Sequence, residues 1–279
     1  MTRAFTKMHG CGNDYIYFNC LQEDLPDPAG KSIALSDRRF GIGGDGIILI
    51  RPSCVADAQM RIYNADGSEA QMCGNGIRCV GKFLYDKGLV QKQVIRVETR
   101  AGVKCLQLTV AQGRATQIRV DMGPAILDPQ KIPVDLPGQT VIDRPVHIAA
   151  QPYRITCVSM GNPHCVTFVD NVDVLNLAQI GPQFECAPLF PERINTEFIH
   201  VIDAHTLRMR VWERGSGETA ACGTGACASV VAAVENGYCQ KGEPVRVKLN
   251  GGELTIVYTD DTVTMTGGAV TVFEGTVEV

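Results

Sequence analysis

Apolar side chains at Ile77, Val80, Phe83 and Leu84 recur at the interval of one helix face, and Gly88 stands where that helix would stop. The pattern predicts a helix opened by Cys73-Gly74-Asn75-Gly76. A strand at Gln59–Tyr63 and a turn at Asn64-Ala65-Asp66-Gly67-Ser68 precede it. Val94–Thr99, Val103–Thr109 and Gln117–Met122 read as later strands with glycine at their turns. The same succession returns further on. Leu207–Trp212 is a strand, Glu213–Gly217 a turn, Gly225–Asn236 a helix closed by Gly237. Val245–Leu249, Glu253–Tyr258 and Thr262–Thr266 are the strands after it. The second helix carries Ala226, Ala228, Val230, Val231, Ala232 and Ala233 around its circumference. A helix apolar on almost every side is expected to be buried, wrapped by strands.

This recurrence has a register. Residues 149 positions apart match repeatedly: Gly12-Asn13 with Gly161-Asn162, Met60-Arg61 with Met209-Arg210, Glu69 with Glu218, Cys73-Gly74 with Cys222-Gly223, Gly76 with Gly225, and Gly88 with Gly237. Matches confined to one offset indicate an internal duplication. The expected fold is α+β: two pseudo-symmetric repeats, each a curved mixed β-sheet or barrel around a central helix, with the active site in the cleft between them.

Composition narrows the function. At 45% hydrophobic and 20% charged, the 279 residues are those of an ordinary globular protein with room for two domains. A net charge of −4 without a Lys/Arg run offers nothing to nucleic acid. No apolar run approaches the roughly 20 residues of a membrane span. The start, MTRAFTKMHGCGNDY, lacks a signal-peptide apolar core, so a cytoplasmic location is expected. The twelve cysteines are spread thinly and form no Cys-x-x-Cys pair, so neither a disulfide framework nor a metal site is expected. Gly41-Ile42-Gly43-Gly44-Asp45-Gly46 has dinucleotide-loop spacing but precedes the strand Ile47–Ile50, the reverse of the order such a loop requires.

Chemistry concentrates at the repeated Cys-Gly-x-Gly. A helix N-terminus presents unpaired N–H groups and about half a positive charge, and glycine lets backbone approach a ligand closely. Gly74, Asn75, Gly76, Gly223, Thr224 and Gly225 are therefore candidates to hold a carboxylate. The same dipoles favour a thiolate, so low-pKa thiols are expected at Cys73 and Cys222. Two thiols in equivalent settings suit a two-base racemase, one removing a proton and the other returning one to the opposite face. No lysine is recognisable as a pyridoxal phosphate anchor, so no cofactor is expected. The other ten cysteines, Cys11, Cys54, Cys105 and Cys186 among them, are assigned to packing. Glu69 and Glu218 are read as capping or turn-stabilising carboxylates. Arg214, in the turn leading to Cys222, suits a carboxylate clamp, and His164 stands in the repeated Gly-Asn motif.

The segments Gly10-Cys11-Gly12-Asn13-Asp14, Asn64-Ala65-Asp66-Gly67-Ser68-Glu69, Met72–Cys79, Gly161-Asn162-Pro163-His164, Glu213-Arg214-Gly215 and Ala221–Gly225 resemble those of the diaminopimelate epimerase family in order and spacing. The resemblance implies interconversion of LL- and meso-2,6-diaminopimelate, without cofactor or metal, on the route to lysine and cell-wall precursors. It implies that Cys73 and Cys222 exchange proton-donor and proton-acceptor roles, and that Gly74-Asn75 and Gly223-Thr224 hold the reacting carboxylate through backbone N–H groups. Asn13, Asn64, Asn162, Asn195, Glu213 and Arg214 would contact the substrate, with His164 and Glu213 supporting the catalytic thiols or the reacting amino group. The family's fold implies a first half over 1–122, joined by a returning strand at 270–279, and a second half over 123–269. Some members carry Gln where this chain has Gly46. A homodimer is the default assembly. A proline or hydroxyproline racemase-like enzyme is the alternative, although that family usually shows His where this chain has Asn75. An isomerase of the phenazine-biosynthesis type would not need paired cysteines.

Overall fold

Strand β1 (Thr2–Gly10) turns into β2 (Asn13–Asn19) through Cys11 and Gly12, both at positive φ (54° and 83°). Two left-handed residues in a two-residue loop make the tight turn that matches strand twist, and this turn fixes where Asn13 begins. The computed structural model, which describes residues 2–279, forms two compact units, one comprising the chain up to Asp121 with Thr266–Val279, the other Met122–Met265.

In the first unit β2 is followed by α1 (Pro28–Ser36), β3 (Gly46–Arg51), β4 (Ala58–Asn64), β5 (Glu69–Ala70), α2 (Gly74–Asp86), β6 (Val94–Thr99), β7 (Gly102–Ala111) and β8 (Arg114–Gly123). Strand β3 pairs parallel with β2 and antiparallel with β4, and β4 pairs parallel with β6. The run Ile47-Ile48-Leu49-Ile50 is buried on both faces, which is why it is continuously apolar. Ile47 and Leu49 join Phe5, Ile16, Phe18 and Leu35 in one core, while Ile48 faces α2, its Cδ1 2.7 Å from where a Cβ on Gly76 would stand. Helix α2 buries the expected Ile77, Val80, Phe83 and Leu84, and also Arg78. The Arg78 guanidinium donates to Gly74 O (3.1 Å), Asn75 Oδ1 (2.9 Å) and Gly268 O (3.2 Å).

The second unit runs through β9 (Arg144–Ile148), β10 (Gln151–Ser159), β11 (Pro163–Phe168), α3 (Leu177–Glu185), β12 (Asn195–Asp203), β13 (Thr206–Glu213), β14 (Gly217–Thr219), α4 (Gly223–Glu235), β15 (Pro244–Leu249), β16 (Gly252–Tyr258) and β17 (Val263–Gly267). Strand β11 pairs parallel with β12, setting His164 beside Asn195, and β12 pairs antiparallel with β13. Helix α4 packs against β10, β11, β12, β13, β15 and β16, and residues 225–233 are buried. Helices α2 and α4 begin 149 residues apart, so the duplication extends to their first turns. The second helix thus starts at Gly223 rather than the expected Gly225, since two glycines at a cap read locally as loop. The chain then returns to the first unit as β18 (Val270–Glu278), antiparallel to β1.

One expectation is narrowed and one corrected here. Of the two roles read for Glu69 and Glu218, the turn-stabilising one fits: each pairs across its hairpin with an arginine, Glu69 with Arg61 on β4 and Glu218 with Arg210 on β13. Cys54, Cys105 and Cys186 are exposed rather than packed in the interior, whereas Cys79, Cys157, Cys165 and Cys227 are buried. Alternation along a strand decides this for Cys105: it lies on the outward face of β7, one residue from the buried Leu106.

Candidate active site

Cys73 is the N-cap of α2, in extended backbone (φ −138°, ψ 115°), and its sulfur accepts from Gly76 N at 3.3 Å. The thiol also donates to Asn13 Oδ1 (3.2 Å). That oxygen is aimed by a second contact: Asn13 Nδ2 donates to Asp45 Oδ2 at 2.7 Å, and the same carboxylate accepts from Asp14 N. Asp14 in turn pairs with Lys7 (2.6 Å) and Arg38 (2.7 Å). Burial opposes its charge, but these two cations outweigh burial and hold its carboxyl below the usual value. Asn64, at the end of β4, donates from Nδ2 to Ser68 Oγ (3.1 Å), and Ser32 Oγ donates to its carbonyl (2.7 Å). Gly46 lies opposite Asn64, and a Cβ there would stand 2.1 Å from Tyr63 O, so this backbone excludes a side chain at that position.

Cys222 is the N-cap of α4 in similar backbone (φ −118°, ψ 113°) but makes no side-chain cap hydrogen bond. Its sulfur lies 3.5 Å from Thr224 Oγ1 and is buried. Its thiol is raised well above the ordinary value, first by burial and then by the nearby Glu213 and Glu197 carboxyls. This corrects the expectation of a low-pKa thiol at this position: desolvation and two carboxyls outweigh the helix dipole. Glu213, at the end of β13, is also raised, by burial, although Thr219 Oγ1 donates to it.

The remaining candidates of the second unit fall into small linked groups. His164 on β11 is fully buried, with Nδ1 2.7 Å from Glu197 Oε1 and Nε2 3.1 Å from Asn162 Oδ1. Asn195 donates to Pro163 O (2.9 Å) and accepts from Arg214 N (2.9 Å), so it ties β11 to the turn after β13. The Arg214 guanidinium donates to Glu192 O at 2.9 Å and is partly exposed. In the first unit Cys73 and Asn13 come together; in the second Asn162, His164 and Glu197 form one chain of contacts, beside the linked Asn195 and Arg214 and the raised pair Glu213 and Cys222. Sequence reasoning missed Glu197, Arg78, Asp14 and Asp45. A charge immediately before the apolar pair Phe198-Ile199, at the position that Ile48 occupies in the first repeat, was the available signal for Glu197.

Each half therefore offers a sulfur at a helix cap, beside backbone N–H groups suited to a carboxylate. The sequence profile of the diaminopimelate epimerase family matches residues 5–127 and 156–272. A diaminopimelate epimerase of Acetivibrio thermocellus is 56% identical over 276 residues, 98% of either chain. One from Methanococcus maripaludis is 52% identical over 277 residues, 99% of either chain. Among solved structures, a Bacillus anthracis phenazine biosynthesis protein of the PhzF family superposes with a TM-score of 0.73 at 19% identity over the whole of both chains. A hydroxyproline epimerase from Agrobacterium vitis does so with 0.70 at 15% identity, covering 99% of this chain and 92% of that one. These two likenesses establish a shared two-repeat fold.

Proposed function

Since the chain belongs to the diaminopimelate epimerase family, we propose that it inverts one α-carbon of 2,6-diaminopimelate, converting the LL to the meso form, with Cys73 and Cys222 as its acid and base. The protein is an isomerase. One thiolate takes the α-proton while the other cysteine, as thiol, delivers a proton to the opposite face; the roles exchange in the reverse direction. Negative charge developing on the α-carboxylate is met by backbone N–H groups of Gly74-Asn75 and Gly223-Thr224 at two helix N-termini. Each such donor contributes about 2.7–4 kcal/mol in comparable sites. Asn13, Asn64, Asn162, Asn195, Glu213 and Arg214 contact the substrate, the guanidinium suiting a distal carboxylate, and His164 and Glu213 support the thiols or the reacting amino group. No cofactor or metal is needed in this scheme.

The observation that carries the reading is the pair of repeat-related cysteines capping α2 and α4, in a chain more than half identical to a diaminopimelate epimerase. Over 50% identity along the full length, against 15% for the hydroxyproline epimerase, favours diaminopimelate over a cyclic imino acid. We place the reaction in the cytoplasm, supported by twelve free thiols, and assign a homodimer, supported by the exposed apolar Val270, Val272 and Phe273 of β18. Incubation in D2O tests the substrate: deuterium should enter the α-carbon of diaminopimelate and not that of proline or hydroxyproline. Label in proline alone would overturn the assignment.

A further inference from the structure

The two cysteine caps are equivalent in backbone and unlike in what lies beneath them. Under the first turn of α2, Gly76 faces the methyl end of Ile48, 2.7 Å from a would-be Cβ. Under the first turn of α4, at the repeat-related place, Gly225 faces Glu197 Oε1, 2.5 Å from a would-be Cβ. Glu197 is 0% exposed, as is its partner His164. Its second oxygen, Oε2, has no hydrogen bond among the described residues. A buried carboxyl is costly and persists only where something compensates it, so its place on one helix cap and not the other calls for a chemical reason. The caps differ a second time: the Cys73 thiol donates to the neutral Asn13 Oδ1, whereas Cys222 lies against Thr224 Oγ1 and the Glu213 carboxyl. Third, buried Arg78 of α2 is replaced 149 positions later by the neutral Cys227. Helix α2 itself carries a buried cation, while under the first turn of α4 lies the Glu197 carboxyl.

We propose that Glu197, held on His164 against the first turn of α4, is a positioning residue that keeps Cys222 the proton-bearing partner of the resting enzyme, a bias that Ile48 cannot give Cys73. This rests on the reading of both cysteines as acid and base. The groups that face Cys222 are Glu213 from β13, Glu197 from β12 and Thr224 from its own helix, with His164 of β11 against both carboxyls. Both nearby carboxyls disfavour a second negative charge on the sulfur. Glu213 is beside the thiol and exchanges contacts with it; Glu197 is deeper, contacts His164, and acts on the reaction through the thiol it faces. In the resting state the second repeat thus presents an acid.

The test reads the ionisation of Cys222 itself. Thiolate absorbance near 240 nm is titrated in the native enzyme and in Glu197→Gln, each against the same protein carrying Cys222→Ala, so that the other eleven thiols cancel. The midpoint in Glu197→Gln should fall by about one pH unit or more, the scale of one nearby charge. Glu197→Asp, which keeps the charge, should hold it near the native position. The alkaline limb of kcat/KM should move down with it in Glu197→Gln. If Glu197→Gln does not fold, Glu197→Met, neutral and of similar length, serves instead and should lower the midpoint likewise. A midpoint unmoved in Glu197→Gln, or in Glu197→Met where that variant is used, overturns the proposal. Because the titration needs no turnover, it stands or falls separately from the two-thiol mechanism, which would fail by retained activity in Cys222→Ala.

Discussion

A sulfur at a helix cap answers to opposing influences whose sizes can be compared. The helix N-terminus favours the thiolate by about 0.3–1 kcal/mol, at most ~2 in partly buried sites. Full burial can shift a pKa by up to about 3–5 units, at roughly 1.4 kcal/mol per unit. Burial therefore wins at Cys222, where two carboxyls act in the same direction. The sequence shows the glycines and the cap position but not the depth of the sulfur, which is why the expected low-pKa thiol does not hold there. Glu213 carries a related consequence. Its folded carboxyl, raised by burial, binds its proton more tightly than in the unfolded chain. Its contribution favours folding at low pH and is lost as pH rises from the ordinary carboxylate value, about 4.3, through its raised folded value. Glu213→Gln should therefore melt higher than the native enzyme at pH 7.5, with the advantage vanishing near pH 4, while epimerisation is lost. Thermal midpoints at both pH values check this; an advantage independent of pH would contradict it.

Among elements, helices α2 and α4 were the most legible, since their periodicity and closing glycines are local signals. Helices α1 and α3 were not anticipated. Residues 28–36 and 177–185 are short, and α3 contains both Gly181 and Pro182. What holds α3 is tertiary: Gly181 lies against the Trp212 ring, 2.2 Å from a would-be Cβ, and Trp212 Nε1 donates to Glu185 Oε2 at 2.8 Å. The first turns of α2 and α4 give a matched comparison. Gly76→Ala meets the end of an isoleucine that can change rotamer, and gains about 1 kcal/mol in helix propensity. Gly225→Ala meets a carboxyl oxygen pinned on His164, a crowding that costs about 1–3 kcal/mol. Urea midpoints should show Gly225→Ala clearly the less stable, and equal losses would mean that Glu197 yields as easily as Ile48.

At the scale of the whole molecule, the 149-residue register was readable because duplication leaves Gly-flanked motifs in place where backbone conformation demands them. The mixed sheets, the central helices and the family all follow from that plan. Its chemical divergence was harder to see. Ile48 against Glu197 and Arg78 against Cys227 are mismatches in the repeat, and the first acquires meaning only once the structure shows its two members under equivalent helix turns. The duplicated plan supplies two sulfurs, and the central claim is that turnover needs both. The most direct test is the rate of LL- to meso-diaminopimelate conversion by folded Cys73→Ala and Cys222→Ala. Removing either acid–base partner should cost at least about 10²–10⁴-fold; conversion near the native rate by either variant would contradict the account.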